Sequence, residues 1–305
     1  MSGYLSTMVE VSLPILLAVL GGAWLDRCRR LDTRSLAEVS LYLLAPSLVL
    51  FALPEGSGGG GEIGAIAAFT LLNTGLMWLV GEGAGRWLGL GRAGRSALSM
   101  TSVFGNSNNY GLPVVLLAYG TAGFSRAAVY VVGQILLMYT LGIYLASRAT
   151  AGGKGTWQAV FRMPVLYATV VGGAVAFLGL GWPKGVNEAL HLLGNAYPAV
   201  VLLILGVQLG RANWRGIGGK ELWMAILIRL VGAPAVAFFC LWILHIDGPL
   251  ASVLFVEASM PAAVNTAVLV EQFGGDRELV AKTVAVTTAA SFVLLPVFVV
   301  IGRSL

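Results

Sequence analysis

Charged residues are scarce in this chain. Lys, Arg, Asp and Glu together make up 11% of its 305 residues, while hydrophobic residues make up 57%. A soluble domain carries roughly 25% charged residues, so a chain this apolar has lipid for its solvent. Cysteine and histidine are also rare, at two each. Cys28 lies in a basic loop and Cys240 inside an apolar run, so no disulfide is expected, and their spacing from the histidines fits no metal site. There is no P-loop, no GxSxG with triad partners and no His/Asp/Glu metal cluster, which excludes ATP-driven work by this chain and gives no sign of an enzyme. "GEGAGRWLG" at 81–89 lacks the strand that a nucleotide-binding glycine loop would follow. No cofactor is expected. The formal charge of +5 does not argue for nucleic acid, because the placement of charge in such a chain is set by the membrane. No Lys or Arg precedes the first apolar run, which therefore reads as a retained helix rather than a signal peptide.

What the sequence has is apolar runs of spanning length. A membrane helix needs about 20 such residues, and ten runs can be laid down, near 4–25, 35–53, 63–87, 96–119, 125–147, 157–180, 186–209, 219–245, 248–273 and 278–303. Connections are short, and "GSGGGG" at 56–61 reads as a loop tip. Alternate loops differ sharply in basic residues. Of the nineteen Lys and Arg, fifteen fall in one set and three (Arg126, Lys184, Arg303) in the other, while Arg229 lies inside a run. Cytoplasmic loops carry the basic excess, so the sequence predicts a cytoplasmic-membrane protein with both termini outside and the 148–156 loop inside.

The chain also repeats itself. "LPILLAVLGG" at 13–22 resembles "MPVLYATVVGG" at 163–173, and Pro46 and Pro198 hold comparable places, at offsets of 150 and 152. Five runs per half is an odd number, so the halves, 1–147 and 157–305, are expected to cross the membrane in opposite senses. Inverted repeats of this kind are the plan of many secondary transporters. The same offset carries "GNSNNYGLP" (105–113) onto "EASMPAAVN" (257–265), so the fourth and ninth runs are interrupted at matching places. Paired interruptions point to a transporter's binding site.

Broken helices free backbone groups that cannot face lipid unsatisfied. Asn106, Asn108 and Asn109 are expected to bond those groups or a substrate, and Pro113 suits the first turn of the outgoing half-helix. In the ninth run, Ser259 is expected as an N-cap, Pro261 in the first turn, and Asn265 as a further amide. Two half-helix N-termini would then face the membrane centre, a site for an anionic group such as a carboxylate. Tyr110 reads equally as a ligand contact or as packing. Arg229 and Glu257 each lie nine residues into their runs, about 13.5 Å deep at 1.5 Å per residue. Intramembrane charges are functional candidates. Either the two form a buried ion pair, or Glu257 takes a coupling proton or sodium ion while Arg229 attracts an anion. Gln134 and Asn73 are further embedded polar candidates, and Glu10 and Glu82 read as structural.

"GNSNNYGLPVV" (105–115) and "ASMPAAVNTAVLVEQFGGD" (258–276) resemble the paired motifs of the auxin efflux carrier family, whose bacterial members are described as organic-acid permeases. "LPILLAVLGGAWLDR" (13–27) and the Arg229–Pro234 pair extend the resemblance over nearly the whole chain. The resemblance implies an all-α protein of ten transmembrane helices in two inverted five-helix repeats, related to the bile acid–sodium symporter fold, with the fourth and ninth helices crossing. It implies transport helices 3–5 and 8–10, scaffold helices 1, 2, 6 and 7 that often form a homodimer, and elevator-like transport of a small organic anion. The family's crossover prolines would be Pro113 and Pro261, and its crossover asparagines Asn106, Asn109 and Asn265. The short 148–156 loop departs from the plant carriers' long one. Glu257 is not expected across the family and resembles the sodium-binding glutamate of bile acid symporters. Two other readings are a cation–proton antiporter of the same fold, weakened because the fifth helix offers only Gln134, and a membrane ligand sensor that does not transport.

Overall fold

The computed structural model describes residues 2–56, 60–149, 164–212, 214 and 216–305. The 148–156 loop beyond residue 149, the tip of the "GSGGGG" segment and the beginning of the 157–180 run lie outside the described residues. Among those described, regular structure is helical throughout, apart from one isolated antiparallel bridge. Twelve helices follow one another: α1 (Tyr4–Arg29), α2 (Thr33–Pro54), α3 (Gly61–Trp87), α4 (Arg92–Val103), α5 (107–119), α6 (121–147), α7 (Pro164–Phe177), α8 (Lys184–Arg211), α9 (Lys220–Leu244), α10 (Gly248–Ala258), α11 (Asn265–Gln272) and α12 (Arg277–Gly302). Among the described residues, seven continuous helical stretches are long and apolar enough to cross a membrane. One of them, Ser107–Ser147, has 41 residues. At 1.5 Å per residue it would be about 61 Å long, twice a bilayer's hydrocarbon core. Gly120, at φ 68° and ψ −164°, divides it into α5 and α6 by a backbone conformation that a side chain would strain.

Lipid tails are as apolar as leucine, so helices in a membrane associate through close backbone approach rather than through hydrophobic burial. The α1–α8 contact is built this way. A Cβ on Gly206 would stand 1.9 Å from the Val19 carbonyl oxygen, and one on Gly22 would stand 2.2 Å from that of Leu203. The ion pair of Arg211 with Asp26 closes the same helix pair at its basic end, at 2.5 and 2.9 Å. Glycine also seats α7 against α2, through Gly172 on Val49 and Leu50, and α8 against α2, through Gly194 on Phe51 and Leu48. These four helices form one packed unit.

The other helices pack around the two interruptions. α12 turns a buried polar stripe, Thr283, Thr287 and Ser291, toward them. Each hydroxyl bonds a carbonyl one turn back on its own helix, so the stripe costs no unsatisfied donor. Thr287 also accepts the Ala262 N–H at 3.2 Å, fixing one interruption to α12.

Candidate functional site

The two interruptions meet. Between α4 and α5 the chain is non-helical at Phe104–Asn106, and between α10 and α11 at Pro261–Ala263, and these segments lie antiparallel, bridged at Gly105 and Ala262. Asn106 N–H donates to the Pro261 carbonyl at 2.7 Å, and Ala263 N–H donates to the Phe104 carbonyl at 2.9 Å. The backbone groups freed by one break are therefore satisfied by the other, which is how an open chain survives away from water. The two bonds exchange under a local twofold, and every matched pair (104 with 261, 105 with 262, 106 with 263) is 157 positions apart. This spacing at the bridge is five to seven residues longer than the sequence offset of 150–152. Across the bridge Phe104 faces Ala263 and Asn106 faces Pro261, while the local twofold makes Asn265 the counterpart of Asn108 and Pro261 that of Phe104.

The register also corrects Ser259. It does not cap an outgoing helix; it ends α10, and its hydroxyl bonds the Phe255 carbonyl one turn back at 2.7 Å. The antiparallel pairing engages the backbone of residues 261–263, and α11 begins after it, at Asn265. Pro261 lies in that paired segment rather than in a first turn. Pro113 is buried in α5, at the start of its regular α-helical part, which begins at Leu112 after the widened turn 107–111. Before it, the Asn106 carbonyl accepts both Tyr110 N–H and Gly111 N–H, at 3.1 and 3.0 Å, in a widened turn.

Arg229 explains how the incoming helices end. Its side chain is buried and donates three hydrogen bonds, all to main-chain carbonyls: Nε to Met260 at 2.6 Å, Nη1 to Ser102 at 2.8 Å and Nη2 to Ala258 at 2.7 Å. Ser102 lies in the last turn of α4, while Ala258 and Met260 lie at the end of α10. The last carbonyls of a helix have no partner of their own and carry about half a negative charge. One guanidinium caps both broken helices and offsets both of these charges. Gly105 makes room for it, since a Cβ there would stand 2.3 Å from Nη2. Arg229 sits in a local widening of α9, residues Ile228–Gly232, a distortion common at functional sites. No Arg229–Glu257 ion pair occurs among the described residues.

Glu257 lies in the last turn of α10 and is fully buried. Neither carboxylate oxygen has a hydrogen-bond partner. The carboxyl rests on the Gly111 backbone, where a Cβ would be 2.3 Å from Oε2. Ser107 bonds the Glu257 main-chain carbonyl at 3.1 Å, so the two arms are also joined there.

With the C-terminal ends neutralised by Arg229, the two N-terminal ends of α5 and α11 remain. They adjoin a cavity of about 350 Å³ that reaches Asn108, Asn109 and Asn265 on one side and Ser40, Leu41, Tyr197 and Gln208 of α2 and α8 on the other. A smaller chamber of about 40 Å³ extends it to Asn106 and Gln134. None of the lining residues carries a charge. The cavity runs toward the end of the molecule marked by Ala37, Gln208 and Gln272, next to the basic residues Arg34, Arg211 and Arg277.

Of the expected site residues, Asn106, Asn108, Asn109, Asn265 and Gln134 come together on this cavity. Asn106 Nδ2 and Gln134 Oε1 are buried without a partner, and Gln134 Nε2 reaches Thr74 at 3.3 Å. Tyr110 does not line the cavity; it is buried with its ring 5.8 Å from Phe292, edge to face, which decides for packing. Asn73 is buried on α3 and also lies off the cavity. The sequence reading missed Tyr197, whose hydroxyl donates to Asn109 Oδ1 at 2.9 Å, along with Gln208 and Gln272. Tyr197 stands beside Pro198, and that adjacency was the one signal available.

The chain is similar to membrane transport proteins. A family model described as "Membrane transport protein" matches residues 152–299. A transporter of Methanothermobacter thermautotrophicus, itself uncharacterized, is 29% identical over 97% of this chain and 96% of its own. A candidate malonate transporter of Rhizobium meliloti is 25% identical over 62% of this chain and 61% of its own length. Auxin efflux carrier component 8 of Arabidopsis thaliana is 23% identical over 42% of this chain and 36% of its own. The last two matches cover less than two thirds of those proteins. The apolar helices, the paired breaks and these likenesses lead to one conclusion: the chain is a multi-pass membrane protein similar, over residues 152–299, to a family of membrane transport proteins and, along nearly its whole length, to an uncharacterized transporter.

Proposed function

We propose that this protein is a secondary carrier of small organic anions, carboxylates of the auxin or malonate type, in the cytoplasmic membrane. The observation that carries the reading is the uncharged cavity at the crossing, where two half-helix N-termini and the amides of Asn108, Asn109 and Asn265 converge. Such ends suit an anion without a charged side chain, and a neutral lining lets the anion leave again. Ten spans in two inverted five-helix repeats are supported by the local twofold of the crossing, with α4–α5 and α10–α11 each counted as one broken span. The glycine-packed unit of α1, α2, α7 and α8 would be the scaffold, dimeric through its lipid-facing side, and α3–α6 with α9–α12 the moving part of an elevator. Both termini would lie outside, so the cavity faces the cytoplasm.

Uptake of radiolabelled malonate and indole acetate into proteoliposomes tests the reading. Anion flux that saturates and falls when Asn108 and Asn265 are both changed to Ala supports it; binding without flux would instead make the protein a ligand sensor. Glu257 favours a coupled carrier, because an unpartnered buried carboxyl needs a proton or a cation. Dependence of the flux on pH or on sodium identifies which, and Glu257→Gln is expected to remove that dependence. Cation exchange for protons with no anion carried would favour the antiporter reading.

A further inference from the structure

A second polar cluster lies away from the crossing, where the end of α3, the start of α4 and the end of α6 come together. Its centre is Glu82, which is buried. Glu82 Oε1 accepts Arg86 Nε at 3.1 Å and Arg148 Nη2 at 3.2 Å, with Arg95 Nη1 at 3.7 Å, and Oε2 accepts Arg148 Nη1 at 3.2 Å. Arg92 joins this group without an ion-pair partner among the described residues. Four guanidinium groups thus surround one carboxylate whose oxygens are already engaged, and three positive charges stay uncompensated.

Beside them is a cavity of about 240 Å³ lined by Arg92, Arg95, Ser96, Ser99 and Arg148 together with Glu82. It shares no lining residue with the cavity at the crossing. Ser99 is 1% exposed and its hydroxyl has no partner; Arg95 Nε is likewise buried and unpaired. A purely structural ion-pair network would have no use for two unspent donors beside a basic cavity. The first N–H groups of α4 open at the same place, because its N-cap, Gly91, supplies no side chain to bond them. Trp87, 77% exposed at the end of α3, marks the depth at which aromatic residues meet lipid headgroups.

We propose that this cavity binds the phosphate of an anionic phospholipid. The phosphate oxygens would accept from Ser99 Oγ, Arg95 Nε and Arg92, and the uncompensated charge would select against zwitterionic lipid. Basic pockets between membrane helices on the cytoplasmic side take anionic headgroups by this chemistry. The site touches α3, α4 and α6, all on the bundle that carries the crossing.

The test uses the full chain, purified and delipidated. Dioleoylphosphatidylglycerol, dioleoylphosphatidylcholine and inorganic phosphate are compared at constant ionic strength, by thermal unfolding and by native mass spectrometry. Phosphatidylglycerol is expected to stabilise the protein and to remain as a bound adduct, while phosphatidylcholine does neither. Arg92→Gln and Ser99→Ala, which leave the Glu82 ion pairs intact, should each weaken that lipid about tenfold, the worth of one charge-assisted contact. Glu82→Gln, if it folds, should tighten binding. Equal protection by both lipids, or unchanged binding in Arg92→Gln and Ser99→Ala, would overturn the site. Protection by inorganic phosphate as strong as that by phosphatidylglycerol would overturn the lipid as its ligand and leave a soluble phosphate in its place.

Discussion

Arg229 offers the sharpest test of how the crossing is held. Its three donors reach three carbonyls, two at the end of α10 and one in the last turn of α4. A buried carbonyl left unpaired costs about 1–3 kcal/mol, so Arg229→Met strands about 3–9 kcal/mol of polar group. Whole-protein stability is typically about 5–15 kcal/mol, and that variant is not expected to fold. Arg229→Lys is the informative change. A lysine keeps the charge, but its single nitrogen cannot span carbonyls that a flat fork reaches, so at least one is lost, at about 1–3 kcal/mol. Thermal unfolding of the purified protein should fall by several degrees, since about 2–4 °C accompanies each kcal/mol in chains near this size. Transport by the folded fraction should keep its half-saturating anion concentration within about twofold, because Arg229 does not line the cavity. The opposite pattern, wild-type stability with anion affinity down tenfold or more, would refute this capping role and make Arg229 a substrate ligand.

Other changes read other parts of the design. Asn108→Ala and Asn265→Ala, both on the cavity at the crossing, should each weaken the transported anion by about 0.5–1.5 kcal/mol, roughly 2–10-fold in half-saturation. Flux indifferent to both would move the substrate elsewhere. Tyr197→Phe deletes the bond to Asn109 while keeping the ring, and should alter transport rate more than unfolding temperature. Gly206→Val drives a side chain into the Val19 carbonyl and should split α1 from α8, seen as loss of the folded peak in size-exclusion chromatography. Gly111→Ala places a methyl on the Glu257 carboxyl, and should change the pH or sodium dependence of uptake before it changes anion selectivity.

The apolar runs and the two interruptions were legible because lipid forbids polar residues without a reason, so "GNSNNYG" and "EASMPAAVN" stood out. The helix limits followed closely: 186–209 was expected and Lys184–Arg211 is observed, and 278–303 was expected where Arg277–Gly302 is observed. The pairing of the two breaks was not legible. Pro and Gly landmarks suggested an offset of 150–152, whereas the backbone bonds at 104–106 and 261–263 join the breaks at a spacing of 157. Ser259 was misread for the same reason: a serine before a proline looks like a cap until the antiparallel pairing engages 261–263 and the helix begins after it, at Asn265. Tyr197, Gln208 and Gln272 escaped because no break in the apolar pattern marks them, and what they face depends on packing between the two units.

The charges at the crossing argue for a division of labour between its two kinds of helix end. The incoming ends of α4 and α10 are negative, and a resident cation, Arg229, neutralises them permanently. The outgoing ends of α5 and α11 are positive and have no resident anion on the cavity side. The one carboxylate nearby, Glu257, is turned away from the cavity onto Gly111. An arginine answers the part of the crossing that must never open, and the part that must empty and refill is left to the substrate. A fixed charge at the outgoing ends would either hold the anion too long or repel it, whereas helix ends and amides bind it moderately and release it. On the proposed elevator path the bond between Asn109 and Tyr197 joins the site to the scaffold, so each transport cycle has to break it. A bond of about 1 kcal/mol is weak enough to be broken in every cycle and directional enough to register the site against the cavity wall.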